Sequence, residues 1–365
     1  MKDLNRKGTP ISRIYLDHAA SSPLRPAARM AVEQGFDFWA NPSSPHAEGR
    51  KARSALEDAR ERILESLEWD GVLVFTSGAS EAIDIALNRA RAGARLVSLV
   101  EHESVLQSAS EAERLPVLPD GALDILALQE AIDGRERPLV AVQSINSETG
   151  NAQDIASIAR LVHENDGVLL VDCAQSCGKF PVPAEADMVV ISAHKFGGPI
   201  GIGALLLRGY GLLEASGGHE RGYRRGTENL PGALGMAAAL EECGAPYLAA
   251  EVLAPFAEFA QQVRDAGGVW LSDQLSAPTP NIMALAMPVL SGSAQVMRFD
   301  MAGIAISQGS ACSSGRLSTS HVLRAMGLDE KLAGRIIRVS PGWNTSRTDI
   351  ERFCSVWLDM VAGAS

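Results

Sequence analysis

Short apolar runs rich in β-branched residues alternate with amphipathic stretches between about residues 70 and 240. The amphipathic stretches, such as residues 154–165, place apolar residues at the spacing of three and four that forms one face of a helix. This alternation is typical of parallel β-strands joined by crossover helices. It predicts an α/β domain whose strands lie in six runs, 72–77, 95–100, 139–145, 168–173, 188–193 and 203–208.

The length of the chain and the pattern after residue 240 predict two domains. With 365 residues, the chain exceeds the size at which single hydrophobic cores usually stop growing. Residues 241–260 have the pattern of a connecting helix, and a mixed pattern of helices and strands follows. We therefore predict a large domain over 14–245 and a smaller C-terminal domain over 246–365, joined by the N-terminal segment 1–13.

Composition and charge narrow the classes of function. The net charge is -11, and no run of Lys and Arg is interleaved with aromatic residues. This balance argues against nucleic acid and anionic membrane surfaces as partners. The chain has no apolar signal segment and no run of 18 apolar residues, so we expect a cytoplasmic protein.

The cysteines argue against a structural metal or a disulfide framework. The chain has five, an odd number, and no two of them form a C-x-x-C pair. We therefore expect reduced thiols and predict no metal site. The five positions are Cys173, Cys177, Cys243, Cys312 and Cys354.

Polar residues follow five of the predicted strands. The segments after these strands are, in chain order, TSGASE, EHES, NSETG, DCAQS and AHKFGG. In open parallel sheets, ligands bind outside the carboxyl ends of the strands, where these connections meet. The pattern predicts one polar site at this edge of the sheet.

Each motif at this edge has a structural alternative. Ser77 or Ser80 can cap the helix that follows, or the start of that helix can bind a phosphate. His102 and Asp172 can be turn residues, although a carboxylate at the end of an apolar strand needs a partner. The segment 41–46 can be a proline turn that opens a helix.

Lys195 is the residue that a structural role explains least well. It lies between an apolar run and a stretch with four glycines. A lysine at a strand end beside other polar groups loses solvation, which favours the neutral amine that forms a Schiff base. Combined with a phosphate-binding helix start, an aspartate and a histidine, this lysine predicts pyridoxal 5'-phosphate as the cofactor.

The chain contains, in this order, the ten segments YLDHAASSP, NPSSPH, FTSGASEA, EHESVL, NSETG, VDCAQSCGKFP, SAHKFGGPIGIGAL, GGHERGYRRGTEN, QGSACSSG and IIRVSPG. The same order is found in the cysteine desulfurases, the NifS-like branch of the class V aminotransferase family, and the chain resembles this family over nearly its whole length. The resemblance implies the aspartate-aminotransferase-like fold (pyridoxal-phosphate fold type I), with a mainly parallel seven-stranded sheet and a smaller α+β C-terminal domain. It also implies conversion of L-cysteine to L-alanine with formation of a protein-bound persulfide.

The resemblance implies roles for individual residues around the cofactor. Lys195 binds the cofactor covalently and moves the α-proton of the substrate, and Asp172 pairs with the ring nitrogen. Gln175 bonds the phenolic oxygen of the ring, and His102 stacks on its face. The residues implied for the phosphate are Ala79, Ser80, Ser192, His194 and Thr227.

The resemblance also implies the substrate site and a homodimer. Asn41 and Arg338 match the positions that bind the substrate carboxylate, and Cys312 matches the loop cysteine that attacks the substrate sulfur. Thr227 matches a residue that the partner subunit contributes in this family, so a homodimer is implied. Ser147 stands where the family usually has a second asparagine against the cofactor, and we expect it to substitute for that amide.

Two other functions stay open on the sequence alone. One is another enzyme of the same fold, an aminotransferase or a selenocysteine lyase, in which Cys312 is only a loop residue. The other is a non-catalytic relative that binds a partner protein. The resemblance also implies a sulfur-acceptor protein, as in iron-sulfur cluster biogenesis. Housekeeping desulfurases commonly dock their scaffold on a longer tail than this sequence shows, so we do not expect that scaffold to be the acceptor.

Overall fold

A computed structural model describes residues 13–308 and 320–363 of the chain, which form two compact units. The large unit contains Ser21–Asn146 and Ala152–Tyr247. The small unit contains residues 13–20, Ser147–Asn151 and the described residues from 248 onward. Residues 14–20 and 147–151 thus group with the C-terminal part of the chain, whereas the sequence pattern places them in the large domain.

The large unit is built on a seven-stranded sheet with the strand order β2-β8-β7-β6-β5-β3-β4. Neighbouring strands from β7 to β4 pair in parallel, which confirms the predicted α/β class and the mainly parallel sheet. Strands β5 to β8 are buried along their whole length, as expected for a sheet covered on both faces. The strands are β2 (Val72–Thr76), β3 (Arg95–Ser98), β4 (Glu113–Leu115), β5 (Leu139–Gln143), β6 (Val168–Asp172), β7 (Met188–Ser192) and β8 (Gly203–Leu207).

Strand β8 runs antiparallel to both of its neighbours, unlike the other predicted strands. Residues 193–202 connect it to β7 and contain one turn of 3-10 helix, Ala193–Lys195. A parallel crossover needs a dozen or more residues, so this shorter connection returns the chain in the opposite direction. β8 separates β2 from β7, and these two strands therefore point the same way.

Seven helices accompany this sheet. The predicted helix over 154–165 is α6, which begins after Asp154, whose side chain caps it. Helix α7 is rich in Ala and Gly, is buried on nearly all sides and packs against α1 and α2. The helices are α1 (Pro26–Gly35), α2 (Ala47–Ser66), α3 (Ala79–Arg89), α4 (Glu103–Ser108), α5 (Ile125–Ile132), α6 (Ile155–Glu164) and α7 (Leu230–Glu241).

The small unit combines helices with two small sheets. One sheet is antiparallel with the order β12-β10-β9, and the other is the parallel pair β1 and β11. The aromatic side chains of Phe259, Phe299, Phe353 and Trp357 are buried in its core. The elements are β1 (Ile14–Tyr15), α8 (Ala250–Leu253), α9 (Pro255–Asp265), β9 (Val269–Trp270), β10 (Met283–Ala286), α10 (Gly292–Met301), β11 (Ile304–Ala305), α11 (His321–Ala325), α12 (Glu330–Ala333), β12 (Ile336–Val339) and α13 (Arg347–Ala362).

The predicted helix over 241–260 is wrong in its first half. Helix α7 ends at Glu241, and the chain is not helical again until α8. Gly244 and Pro246 lie between the two helices, and both residues disfavour a continuous helix. Across 13–308 and 320–363, no helix combines the length and the apolar character that crossing a membrane requires.

Candidate active site

Polar residues collect at the carboxyl edge of the large unit's sheet, as the sequence pattern predicts. Strands β2, β3, β5, β6 and β7 share one direction, so the residues after them lie along the same edge. These residues include His102 after β3, Asp172 at the end of β6 and Lys195 after β7.

Asp172 is a buried carboxylate at the middle of this edge. Its Oδ1 accepts a hydrogen bond from the backbone N–H of Ala174 at 2.8 Å. Burial raises the pKa of Asp172, while this hydrogen bond and the charges of His102 and Lys195 act in the opposite direction. The electrostatic interaction places these three side chains in one environment.

Lys195 ends a single turn of 3-10 helix that is fixed by the segment before α1. The Ser22 hydroxyl donates to the carbonyl oxygen of Lys195 at 3.1 Å, and the Ser22 N–H donates to that of His194 at 2.7 Å. The side chain of Lys195 is partly buried. Its backbone is therefore held in place while its amine lies in the same electrostatic environment as Asp172.

The start of helix α3 has the properties of an anion site. Its N-cap residue is Gly78, and no described side chain caps it, so neither Ser77 nor Ser80 has the capping role that the sequence left open. Gly78 has a φ of +155°, and a Cβ on Gly203 would lie 2.8 Å from the Gly78 Cα. The turn therefore requires glycine where it lies against β8, and Ala79 and Ser80 follow as the first helical residues.

Ser192 lies close to this turn, and His194 follows two residues later in the chain. Ser192 is buried at the end of β7, and a Cβ on Gly78 would lie 3.9 Å from its Oγ. The Nδ1 atom of His194 is 3.2 Å from the Ser21 hydroxyl. Burial, together with the smaller effects of the charges of Lys195 and Lys179, lowers the pKa of His194 to about 4.

The pKa of His194 predicts a stability change with pH in cofactor-free protein. The unfolded chain binds a proton at this histidine below its ordinary pKa of 6.5, while the folded chain binds it only near pH 4. Stability should therefore fall as the pH drops from 7.5 to 5, by about 1 kcal/mol after allowing for the partial exposure of the ring. Urea unfolding of the parent and of His194→Asn checks this, since the variant should lose less stability; equal losses would contradict it.

Three further predicted site residues belong to the large unit. Gln175 is buried just after β6, and its carbonyl oxygen accepts a hydrogen bond from the Lys179 Nζ at 3.0 Å. His102 is exposed and caps α4, with its Nδ1 accepting from the Ser104 N–H. Asn41 is also exposed, and its Oδ1 accepts from the Ser43 N–H at 2.8 Å.

Thr227 lies on an exposed part of the loop between β8 and α7. The residue after it, Glu228, is buried and lies 3.2 Å from the Nδ1 of His219. The side chain of Thr227 is therefore exposed to solvent, next to a loop residue that is buried and held in place.

Ser147 and Arg338 belong to the small unit and contact each other. The NH1 group of Arg338 donates to the carbonyl oxygen of Ser147 at 2.8 Å, and NH2 pairs with Asp17 at 2.8 Å. Arg338 is buried in β12, and within the described part of the chain its Nε has no hydrogen-bond partner. An incompletely bonded guanidinium is suited to a carboxylate ligand.

Cys312 lies outside the described residues. Of the other cysteines, Cys173, Cys177 and Cys354 are buried and Cys243 is partly buried, and none of these four forms a disulfide with another. Burial raises the pKa of all four thiols, that of Cys173 and of Cys354 to about 12. These thiols are therefore poor sources of the reactive thiolate.

Sequence reasoning missed Glu101, which lies directly before His102. Its side chain is buried, and Oε1 accepts a hydrogen bond from the Gln143 N–H at 2.9 Å. Burial raises the pKa of Glu101 well above its ordinary value, and the charge of Asp172 acts in the same direction. The sequence did contain an indication of Glu101, because it is a carboxylate that follows an apolar strand, the feature that identified Asp172.

These residues fit pyridoxal 5'-phosphate. The uncapped start of α3 suits a phosphate, the buried Asp172 suits a protonated ring nitrogen, and the partly buried amine of Lys195 suits an aldehyde. All three lie at the same edge of the large unit's sheet.

Comparison with known proteins agrees with this fit. The family model for aminotransferase class-V matches residues 14–353. The chain belongs to the aminotransferase class-V family. Enzymes of this class-V family depend on pyridoxal 5'-phosphate, which confirms the cofactor predicted from the sequence.

Individual proteins are similar to this chain over most of its length. A cysteine desulfurase of Cereibacter sphaeroides is 36% identical, over 95% of this chain and 95% of its own. A NifS-like protein from Rickettsia africae has a solved structure with a TM-score of 0.84 and 26% identity, covering 96% of this chain and 99% of that one. A structure described as SspA in complex with cysteine has a TM-score of 0.77 and 30% identity, covering 90% and 99%.

Proposed function

We propose that this protein is a pyridoxal-phosphate-dependent cysteine desulfurase that converts L-cysteine to L-alanine and leaves the sulfur as a persulfide on Cys312. The observation that carries the proposal is the similarity to a cysteine desulfurase over 95% of both chains. The buried carboxylate, amine and uncapped helix start at one sheet edge supply the groups that this chemistry needs.

The protein's own groups divide the work of the reaction. When bound, pyridoxal 5'-phosphate supplies a ring that withdraws electrons from the α-carbon of the substrate. The Lys195 amine accepts the α-proton and later returns a proton, and the Asp172 carboxylate keeps the ring nitrogen protonated. Ala79, Ser80, Ser192, His194 and Thr227 bind the phosphate, Gln175 bonds the phenolic oxygen of the ring, and His102 packs on its face.

In the step that transfers sulfur, the thiolate of Cys312 is the nucleophile. Cys312 forms a bond between its sulfur and the substrate sulfur, and the bond between that sulfur and the substrate β-carbon breaks. The electron pair of the broken bond stays with the carbon, which is protonated to give alanine, while the two sulfurs are oxidised to a persulfide. The raised pKa values of the other four thiols support Cys312 as the residue that performs this step.

Arg338 is proposed to bind the substrate carboxylate together with Asn41. The buried Nε of Arg338, for which no partner occurs in the described ranges, supports this role. Asp17 occupies one end of the same guanidinium, so we expect the substrate carboxylate to compete with Asp17 for it. Ser147 holds Arg338 through its carbonyl oxygen, which adds a positioning role to the cofactor contact predicted for its hydroxyl.

Product analysis of the holoenzyme tests the proposed function. Purified protein is incubated with L-cysteine and dithiothreitol, without any keto acid, and alanine and sulfide are quantified. Equal amounts of alanine and sulfide are expected. Turnover that requires a keto acid indicates an aminotransferase, and turnover with selenocysteine alone indicates a selenocysteine lyase. No product with either substrate, despite bound cofactor, would indicate a non-catalytic relative.

We also propose that the protein is a homodimer that passes sulfur to an acceptor protein. Large apolar side chains are exposed on the large unit at Phe36, Trp39 and Ile200, with 80% exposure for Trp39 and for Ile200. Hydrogen bonds join this surface to the Thr227 loop, because Ser43 bonds His219 at 3.3 Å and Asn229 donates to the Gly201 carbonyl at 3.3 Å. A second copy that covers these side chains also meets Thr227.

Replacing Trp39 is expected to weaken this dimer. A large buried aromatic residue at the centre of an interface contributes about 2 kcal/mol or more, so Trp39→Asp should raise the dimer dissociation constant by about 30-fold or more. Analytical ultracentrifugation over a concentration series measures this. Leu126→Asp is the matched control, because Leu126 is 78% exposed on helix α5 and should leave the dimer unchanged. Equal effects of both substitutions would contradict the assignment of the surface.

A further inference from the structure

The loop that carries Thr227, residues 214–229, has a strained backbone. Glu220 and Arg221 have φ values of +48° and +56°, a region that residues other than glycine seldom adopt. Such conformations persist only where the surrounding structure fixes them, and they cluster at functional sites. The contacts of Glu220 show what fixes this loop.

Glu220 is buried although it lies in a loop, with 3% of its surface exposed. Its Oε2 accepts a hydrogen bond from the backbone N–H of Phe75 at 2.8 Å. Phe75 belongs to β2, the edge strand of the sheet, whose outer N–H groups face no other strand among residues 13–308 and 320–363. The carboxylate of Glu220 thus attaches the loop to the sheet edge, three residues before Gly78.

Arg60 of helix α2 holds the same carboxylate from a second direction. NH1 and NH2 donate to Oε2 and Oε1 of Glu220 at 2.9 and 3.0 Å, a bidentate ion pair. NH1 also donates to the carbonyl oxygen of Leu73 at 2.6 Å, and the guanidinium lies 4.8 Å from the centre of the Phe75 ring. Arg60 is 5% exposed. The pair therefore ties together α2, β2 and the loop.

The far side of the loop is attached to the first turn of α3. Arg224 forms an ion pair with Glu81, with Nε and Oε1 2.9 Å apart, and Glu81 also accepts the N–H of Ser77. Glu81 directly follows Ser80, one of the proposed phosphate ligands. A shift of the loop at Glu220 is therefore expected to move Arg224 and Thr227, which follow Glu220 on the same loop, and the ion pair of Arg224 with Glu81 connects that shift to the start of α3.

We infer that Arg60 and Glu220 are positioning residues for the cofactor phosphate: their buried ion pair fixes the loop 214–229 against β2 and so sets the place of Thr227. Neither residue touches the phosphate itself. The inference rests on the proposed function, because it takes Thr227 to be a phosphate ligand, in its own or the partner subunit. It predicts that loss of the pair weakens binding of the phosphate group and leaves contacts to the pyridine ring intact.

The test compares release of pyridoxal 5'-phosphate and of pyridoxal, which lacks the phosphate, from dimeric enzyme loaded with either compound. Arg60→Met and Thr227→Ala should each speed release of pyridoxal 5'-phosphate by about tenfold or more, and change release of pyridoxal less than about twofold. The double variant should be no faster than the more affected single variant, since both changes remove the same interaction. Decay of the visible absorbance band of the bound cofactor follows the release.

Arg62→Met is the matched control, because Arg62 lies on α2 like Arg60 and also forms a bidentate ion pair, but its partners Glu241 and Asp58 lie outside the loop. It should change neither release rate. Arg60→Lys and Glu220→Gln repeat the test if Arg60→Met does not fold, since each retains part of the hydrogen bonding. Both variants should speed release of pyridoxal 5'-phosphate more than release of pyridoxal, but by a smaller factor than Arg60→Met.

Three different outcomes would overturn the inference, and each has a different meaning for Thr227. Equal acceleration of both compounds by the Arg60 and Glu220 variants would show a general structural role and overturn the inference. If Thr227→Ala speeds release of pyridoxal 5'-phosphate as expected but the Arg60 and Glu220 variants do not, the inference is also overturned, while Thr227 remains a phosphate ligand. No effect of Thr227→Ala overturns both the phosphate role of Thr227 and the inference, whereas failure of the desulfurase proposal appears separately as absence of alanine.

Discussion

Lys195→Ala is expected to lower the rate of alanine formation from L-cysteine by about 1,000-fold or more, because one amine both binds the cofactor covalently and moves the α-proton. The fixed 3-10 turn at Ala193–Lys195 and the shared electrostatic environment with Asp172 single out this lysine. The variant should lose the visible band of the covalently bound cofactor. Borohydride reduction of the parent, followed by peptide mapping, should label Lys195.

Lys179→Gln provides the matched control for this experiment. Lys179 is buried in the large unit, but its Nζ donates to the backbone carbonyl oxygen of Gln175 and lies 5.8 Å from the centre of the Tyr247 ring. The Lys179 variant should still be labelled at Lys195. A label on any lysine other than Lys195 in the parent protein would overturn the assignment of the whole cofactor site.

Cys312→Ser is expected to retain the cofactor and bind L-cysteine, yet form no persulfide and about 1,000-fold less alanine. A serine hydroxyl at neutral pH is a far weaker nucleophile than a thiolate, so the bond between the two sulfurs cannot form. Mass spectrometry of the parent after exposure to L-cysteine should find one additional sulfur on the peptide that contains Cys312. The cofactor absorbance and the alanine yield complete the measurement.

Cys243→Ala and Cys354→Ala are the controls, because these thiols have raised pKa values and are not expected to react. Both should retain activity within about threefold of the parent. Release of alanine and sulfide at the parent rate by Cys312→Ser would contradict the persulfide mechanism. A lyase that releases sulfide directly would then explain the data better.

Much of the site could be predicted from the sequence because its residues follow directly after apolar strands. Parallel strands bring their carboxyl ends to one edge, so Asp172 and the segment with Lys195 meet without any long-range information beyond strand order. The same rule would have found Glu101. Local sequence could not decide between Ser77, Ser80 and an uncapped start for α3, since that depends on how Gly78 lies against β8.

The α/β class, the polar edge of the sheet and the cofactor could be predicted from the chain alone, because each depends on local periodicity and on residues adjacent to strands. The antiparallel direction of β8 and the grouping of 147–151 with the small unit became clear from the folded chain. The same holds for the burial of Glu220 against Arg60, 160 positions away in the chain. Charge pairing and strand direction depend on neighbours that only folding brings together. A polar residue in a glycine-rich loop has no local sequence pattern that indicates a buried partner.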